Sequence, residues 1–235
     1  VVDRDVAKAM SFALQKYIRR TNKRIILASC HYDIMEWIMP DWTCSPQKNG
    51  GALERGEWLR KGKPQIELQV SRVESDTWDF FKKHHYLTED VNKSCKFFLF
   101  ELNNKPIGIC AVINQPRKGC PNGFALSRTV VLPDFQGMGI GSKISEFCAS
   151  MFVGIGGKVY TKTINPALGE YRNKSKKWRG TLKNGKIGNT NDKNATSRFS
   201  RISYCHEYIG DGINGYEELL KPIKEMRESK NVTLF

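Results

Sequence analysis

The sequence predicts an α/β protein of the α+β kind: a mixed, mostly antiparallel sheet flanked by helices, behind an N-terminal α-β-α extension. Three observations carry this. From Pro64 onward, apolar stretches with strand and helix periods follow one another in the order β-α-β-β-β-α-β-α-β. Two of those strands face each other across Asn103-Asn104-Lys105, a hairpin-turn composition, so the sheet is at least partly antiparallel. A β-branched run, Val130-Val131, leads into three alternating glycines, Gly137, Gly139 and Gly141, at the mouth of an amphipathic helix.

The elements follow in chain order. Val6, Met10, Leu14 and Ile18 recur every four residues, which predicts a helix over 3–20 with Asp3 or Asp5 as N-cap. "RIILAS" reads as a short buried strand ending at His31, and "DIMEWIMPDW" as a short helix stopped by Pro40. A polar, turn-rich stretch then divides the chain into an N-terminal piece (1–45), a linker (46–63) and a main domain (64–235). In the main domain "QIELQVSRV" alternates as a strand does, and "SDTWDFFKKHHYL" is helical with Ser75 or Asp76 as cap. The hairpin follows, then the strand "FALSRTVVL" and a helix over 138–152 with Ile140, Ile144, Phe147, Cys148 and Met151 on one stripe. "KVYTKT" is a strand. Asn165-Pro166 opens another helix, with the asparagine as cap and proline at the first helical position. "SRFSRISYCHEYI" is a late strand, and "YEELLKPIKEMRES" a C-terminal helix interrupted by Pro222.

Composition narrows the class. No apolar run approaches the roughly 20 residues of a membrane span, and charges interrupt any export signal at the start. The chain does not begin with Met and is read as a piece of something longer. Seven scattered cysteines without a C-x-x-C pair suggest reduced thiols in the cytoplasm, not a disulfide frame or a zinc knuckle, with Cys110 and Cys148 in the core. The net charge is +14, and residues 172–201 hold ten Lys/Arg against one acid, Asp192. Such a stretch attracts phosphates of nucleotides, CoA or nucleic acid, or is simply a solvated, flexible insertion.

Glycines between a strand and a helix suit a phosphate, because bare backbone approaches an anion closely and the helix start offers unpaired N–H groups and a positive dipole end. Spacing excludes two known cradles. A Walker A loop counted from Gly137 requires a second glycine at 142, where Ser142 stands. A dinucleotide fingerprint fails at the same residue. A tight turn without ligand is the other reading of the same glycines.

The full stretch Val131-x-Pro133-x-Phe135-Gln136-Gly137-x-Gly139-Ile140-Gly141 resembles the acyl-CoA loop of the GNAT acetyltransferase superfamily, V-x-P-x-[YF]-[QR]-G-x-G-[IV]-G, at every position. The element order around it also resembles that family, over roughly Pro64 to Ile209. The resemblance implies an acetyl-CoA-dependent N-acetyltransferase with an amine acceptor. In that family the strand before the loop splays from the next one, so that its free backbone groups hold the pantetheine arm. Carried over, those groups lie at Val130, Val131 and Leu132. The loop donors fall at Gln136, Gly137, Met138, Gly139, Ile140, Gly141 and Ser142. The family's acid is a tyrosine on the helix after the following strand, here Tyr171, although that helix ends in Lys177-Trp178 where the family has Gly-Phe. Asn165 is either a group contacting CoA or a plain cap.

The base is left open among His84 and His85 after the first helix, and His206 and Glu207 on the last strand; imidazole titrates near neutrality. Adjacent residues point differently, so at most one of His84 and His85 faces the cleft. A competing function is a catalytically silent module of the same fold that binds nucleic acid through 172–201. The two readings coexist if the basic segment delivers an RNA or ribonucleoprotein acceptor. The front piece, "VVDRD" through "RIILASCHYD", resembles the last part of an ABC-type ATPase domain. Asp3 matches its D-loop and His31 its switch histidine, with no Walker A or signature sequence in this chain.

Overall fold

The computed structural model describes residues 4–47, 49–55, 66–86, 89–187, 202–223 and 230–233. The backbone forms two compact units: residues 1–67, 132–140 and 233–235 in one, 68–131 and 141–232 in the other.

In the first unit, helix α1 (Arg4–Thr21) forms as expected, but its buried side does not follow the four-residue stripe. Ala9, Ser11 and Gln15 are buried, and Met10 is 62% exposed. Four residues advance a helix by about 400°, so a strict four-step stripe drifts around the cylinder. The expected caps Asp3 and Asp5 lie outside the described side chains. Helix α2 (Ile34–Ile38) ends at Met39, left-handed at φ 51, directly before Pro40. Gln15 Nε2 meets Met39 Sδ at 3.3 Å and Arg19 Nη2 donates to Met39 O at 3.0 Å, which fixes α1 on that turn.

The strand expected at "RIILAS" does not form. Residues 23–29 have no regular structure, and Ile26 is fully exposed. A strand exists only with a partner for its backbone, and none of the described strands lies beside this one. The stretch expected as linker contains β2 (Leu53–Arg55), which pairs antiparallel with β1 (Trp42–Cys44).

Among the described residues the main sheet has nine strands. In chain order they are β3 (Glu67–Val73), β4 (Lys96–Leu102), β5 (Lys105–Asn114), β6 (Gly123–Val131), β7 (Lys158–Thr163), β8 (Trp178–Gly180), β9 (Lys186–Ile187), β10 (Ile202–Tyr208) and β11 (Lys230–Thr233). Their spatial order is β11-β3-β4-β5-β6-β7-β10-β8, with β9 also on β10. The β4–β5 hairpin turns on Asn103 and Asn104, both at positive φ, as its composition predicts. The β6–β7 pair is parallel, and the β3–β4, β4–β5, β5–β6 and β7–β10 pairs are antiparallel. The sequence reading missed β8, β9 and β11. Two of them lie in the basic segment, so residues 178–187 are partly sheet and not only a flexible insertion.

The helix after β3 is a broken run: a 3-10 turn (Ser75–Thr77), α3 (Trp78–Phe81) and a second 3-10 turn (Lys82–His84). Glu74 and Thr77 occupy the cap positions, and neither Ser75 nor Asp76 caps it. Helix α4 (Ile140–Gly154) follows β6, and α5 (Pro166–Lys174) follows β7. In place of the expected C-terminal helix the described residues show a 3-10 turn (Glu217–Leu220), and residues 224–229 of that expectation lie outside them. On one face of the hairpin, Phe98 and Phe100 pack against Phe152 and Phe147 of α4, while Phe97, Ile107 and Ile109 are buried on the other face. The Phe98 and Phe152 rings meet edge to face at 6.1 Å. No helix among the described residues is long and apolar enough to cross a membrane.

Burial predicts the energetic contrast. Phe98→Ala should cost about 3–5 kcal/mol, whereas Ile26→Ser should stay within about 0.5 kcal/mol of the parent. Urea midpoints of the two variants measure both.

Candidate active site

Strand β6 has neighbours on both sides only over its first residues. Gly123–Leu126 run parallel to Lys158–Thr161 of β7. Beyond Leu126 the strand keeps β5 on one edge, with Thr129 opposite Cys110, Val130 opposite Ile109 and Val131 opposite Gly108. On the other edge no described strand pairs with it. The change coincides with a register shift at Ala111/Val112, where Ser127 stands opposite no residue of β5. Such a bulge bends a strand and increases its twist, which accounts for the parting of β6 and β7. The cleft so opened is lined by His85, Tyr86, Thr129, Thr161, Thr163 and Arg172, among others. A second, larger hollow of about 520 Å³ has Tyr86 in common with it and is lined also by Ile164, Asn165, Pro166, Ile202 and Tyr204.

Past Val131 the chain turns through Pro133–Phe135 to Gln136 and reaches α4. Val130, Val131, Met138 and Ile140 are buried, while Leu132 and Ser142 are half-buried and Gln136 is exposed. The three glycines are not equivalent. Gly137 and Gly139 have φ of 84° and 87°, a conformation that disfavours any side chain. A Cβ on Gly137 would also come within 3.3 Å of Ala13 Cβ on α1. Gly141 needs neither explanation: its φ is ordinary, and an added Cβ would meet Val131 Cγ2 at 3.5 Å, a normal contact. It lies in the first turn of a 15-residue helix, whose leading amides have no partner within the helix. A bare first turn at the positive end of a dipole fits a pyrophosphate.

The other expected site residues are dispersed. His85 lines the cleft and contacts the Tyr86 ring at 4.9 Å; His84 is not among the cleft's lining residues. Tyr86 Oη is 2.9 Å from Thr163 Oγ1, which ties the histidine loop to the end of β7. Asn165 caps α5, its Oδ1 accepting from Leu168 N at 3.2 Å, and it also lines the larger hollow. Glu207 accepts from Arg179 Nη2 at 2.7 Å. His206 is fully buried, with Nε2 2.8 Å from Asn173 Oδ1 and no partner for Nδ1. Burial, and then the nearby Arg172 charge, press its pKa down to about 4. The Tyr171 hydroxyl donates to Glu146 Oε1 at 2.6 Å. Burial and that bond push its pKa up to about 12.

The sequence reading missed Tyr86 and Arg172. Tyr86 lies at the end of "SDTWDFFKKHHYL", beside two histidines that drew the reading of that stretch to themselves. Arg172 was counted as one more surface cation. The signal for it was helical phase: α5 starts on a cap at Asn165, and Arg172 lies seven residues on, two turns later and therefore on the same side.

His206 has a measurable consequence. Its folded-state pKa lies below the ordinary 6.5, so between about pH 6.5 and 4 the unfolded chain binds a proton that the folded chain refuses. Stability should therefore fall as pH is lowered through that window, by about 1.4 kcal/mol per unit from this group. His206→Gln should flatten that limb in urea midpoints recorded against pH.

Known proteins bear on the chain as follows. Residues 32–168 match the model of the Acetyltransferase (GNAT) family. No curated protein matches significantly. Similar solved structures include a GNAT family acetyltransferase from Elizabethkingia anophelis with acetyl-CoA bound, 14% identical with a TM-score of 0.47 over 60% of this chain and 97% of that one. Another is the ribosomal-protein-S18-alanine N-acetyltransferase from Escherichia coli, 12% identical with a TM-score of 0.44 over 63% of this chain and 96% of that one. A third is a putative streptothricin acetyltransferase from Bacillus anthracis str. Ames in complex with acetyl coenzyme A, 13% identical with a TM-score of 0.44 over 60% and 98%. Since the family model spans more than half of its length, the chain belongs to the acetyltransferase (GNAT) family.

Proposed function

We propose that the chain transfers an acetyl group from acetyl-CoA to an amine. The observation that carries this reading is the parting of β6 and β7 directly before a glycine-rich helix start. The pyrophosphate lies on the amides of Gln136, Gly137, Met138, Gly139, Ile140, Gly141 and Ser142. The pantetheine arm runs along the edge of β6 that faces away from β5, at Val130, Val131 and Leu132, which places the thioester in the cleft. The acceptor amine approaches from the larger hollow, past Tyr86 and Asn165. His85 is the base, because it is the histidine that lines the cleft. The His206 imidazole is committed to the interior and Glu207 to Arg179, so neither takes the proton. Tyr171 gives its hydrogen bond to Glu146 and fastens α5 to α4.

The setting remains cytoplasmic in this reading, in keeping with seven free cysteines. Residues 1–45 are read as the end of an ABC-type ATPase domain. Three consecutive exposed apolar residues, Ile25, Ile26 and Leu27, are what its strand would show without a sheet beside it. The competing reading, a silent fold attached to nucleic acid through 172–201, draws on charge alone.

Thiol release from acetyl-CoA in the presence of amine, peptide and RNA acceptors tests the proposal. Release above the hydrolysis background with some acceptor is expected. Release at background with all of them, together with salt-dependent RNA or DNA binding that weakens when Lys174, Lys176 and Lys177 are neutralised, would favour the binding module. Gly141→Glu places a carboxylate at the helix start without the positive-φ strain that the same change meets at Gly139. It should abolish CoA binding in calorimetry while the thermal midpoint of the free protein stays near the parent, and Gly141→Ala should bind. His85→Gln should lower kcat by about 10²–10⁴-fold with little change in CoA affinity.

A further inference from the structure

Among the described residues Arg172 is the largest fully buried side chain that carries a charge, at 2% exposure. Burying a cation is costly unless an anion or a full set of hydrogen bonds compensates it. Arg172 has neither. Its Nη1 donates to Thr161 Oγ1 at 3.1 Å and its guanidinium carbon lies 4.7 Å from the Trp178 ring centroid. Its Nε has no partner. Among the described residues no carboxylate comes within 4 Å of it; the nearby Glu146 is instead bonded to Tyr171 and lies 3.6 Å from Lys177 Nζ.

The remaining neighbours are not carboxylates, although the Cys110 thiol is drawn down by its hydrogen bond with Cys148 and, more weakly, by Thr129 and the Arg172 charge, against its burial. They are the hydroxyls of Tyr86 and Tyr171, the Cys110 thiol on β5 and the His206 imidazole on β10. Burial draws the guanidinium down to about 10, which still leaves it charged at neutral pH. The same side chain lines the cleft between β6 and β7, together with Thr129 and Thr161. A buried, undercompensated cation facing a small polar cleft is built for an anion that arrives with the ligand.

We infer that Arg172 is the electrostatic acceptor for the leaving CoA thiolate, a role that rests on the acetyltransferase reading above. The amine nitrogen adds to the acetyl carbon, forming the C–N bond, and the C–S bond breaks with its electron pair on sulfur. The amine's proton passes to His85. The thiolate stands as an ion pair with the guanidinium and takes a proton from solvent on release. No proton donor is needed at the sulfur, which agrees with a Tyr171 hydroxyl whose proton is given to Glu146. A charge fixed in place before the reaction stabilises the developing thiolate without reorganisation.

The test is the ionisation of CoA bound to the whole chain, read from the ultraviolet absorbance of the thiolate against pH. The bound thiol should ionise at least about one pH unit below free CoA, equivalent to about tenfold tighter binding of the thiolate form. Arg172→Met should abolish that shift, and Arg172→Lys should retain part of it. Desulfo-CoA should bind parent and both variants alike, which shows that each is folded and that its nucleotide site is intact. A bound thiol that titrates as free CoA does, or a shift that survives Arg172→Met, overturns the inference. Failure of the parent to bind both CoA and desulfo-CoA overturns instead the acetyl-CoA reading on which it rests.

Discussion

The single feature on which the site depends is the loss of pairing between β6 and β7 after Leu126. Backbone N–H and C=O groups inside a sheet are almost always paired, and leaving a row of them open costs free energy unless water or a ligand takes the place of the strand. Here the opening is built in. A bulge at Ser127 turns β6 away while its other edge stays registered on β5 through Val131. β7 is in turn held on its far side by β10, with Thr161 opposite His206 and Tyr204 opposite Thr163. Each strand that borders the cleft is therefore anchored by its outer neighbour, so the gap does not close by simple re-pairing.

The second determinant is the phase of α5. Adjacent residues on a helix point about 100° apart, so Tyr171 and Arg172 cannot serve the same surface. Tyr171 reaches Glu146 on α4, while Arg172 turns toward Thr161 on the sheet. The helix sits close because Gly169 carries no side chain: a Cβ there would come within 2.2 Å of the Tyr204 ring. That close approach brings the guanidinium to the cleft and the Asn165 cap to the rim of the neighbouring hollow.

Much of this was legible in the sequence because it is local. The β4–β5 hairpin was written in Asn103-Asn104, the start of α5 in Asn165-Pro166, and the α4 stripe in apolar residues that are all buried. The turn at Gly137 and Gly139, both at positive φ, was legible in the glycines themselves, while its assignment to CoA came from the family resemblance. What failed was set by partners distant in sequence. "RIILAS" has every local mark of a strand and, among the described residues, no strand to pair with. β8 and β9 are two or three residues long in polar surroundings, and they are strands only because β10 lies beside them. The division of roles between His84 and His85 could be anticipated as a choice, but only the fold shows which ring lines the cleft.

Charge is where composition misled most. The ten cations of 172–201 were counted as one field directed at phosphate. Of the seven that fall among the described residues, Arg172 is buried in the cleft, Arg179 is paired with Glu207 and Lys177 lies 3.6 Å from Glu146. A buried guanidinium does not attract a polyanion from solution, and a paired one does so less than an open lysine. The described part of the segment is thus a weaker argument for nucleic acid than its formal charge suggests. Its most conspicuous member has instead the burial, geometry and lack of a counter-ion expected of a group that receives negative charge within the site.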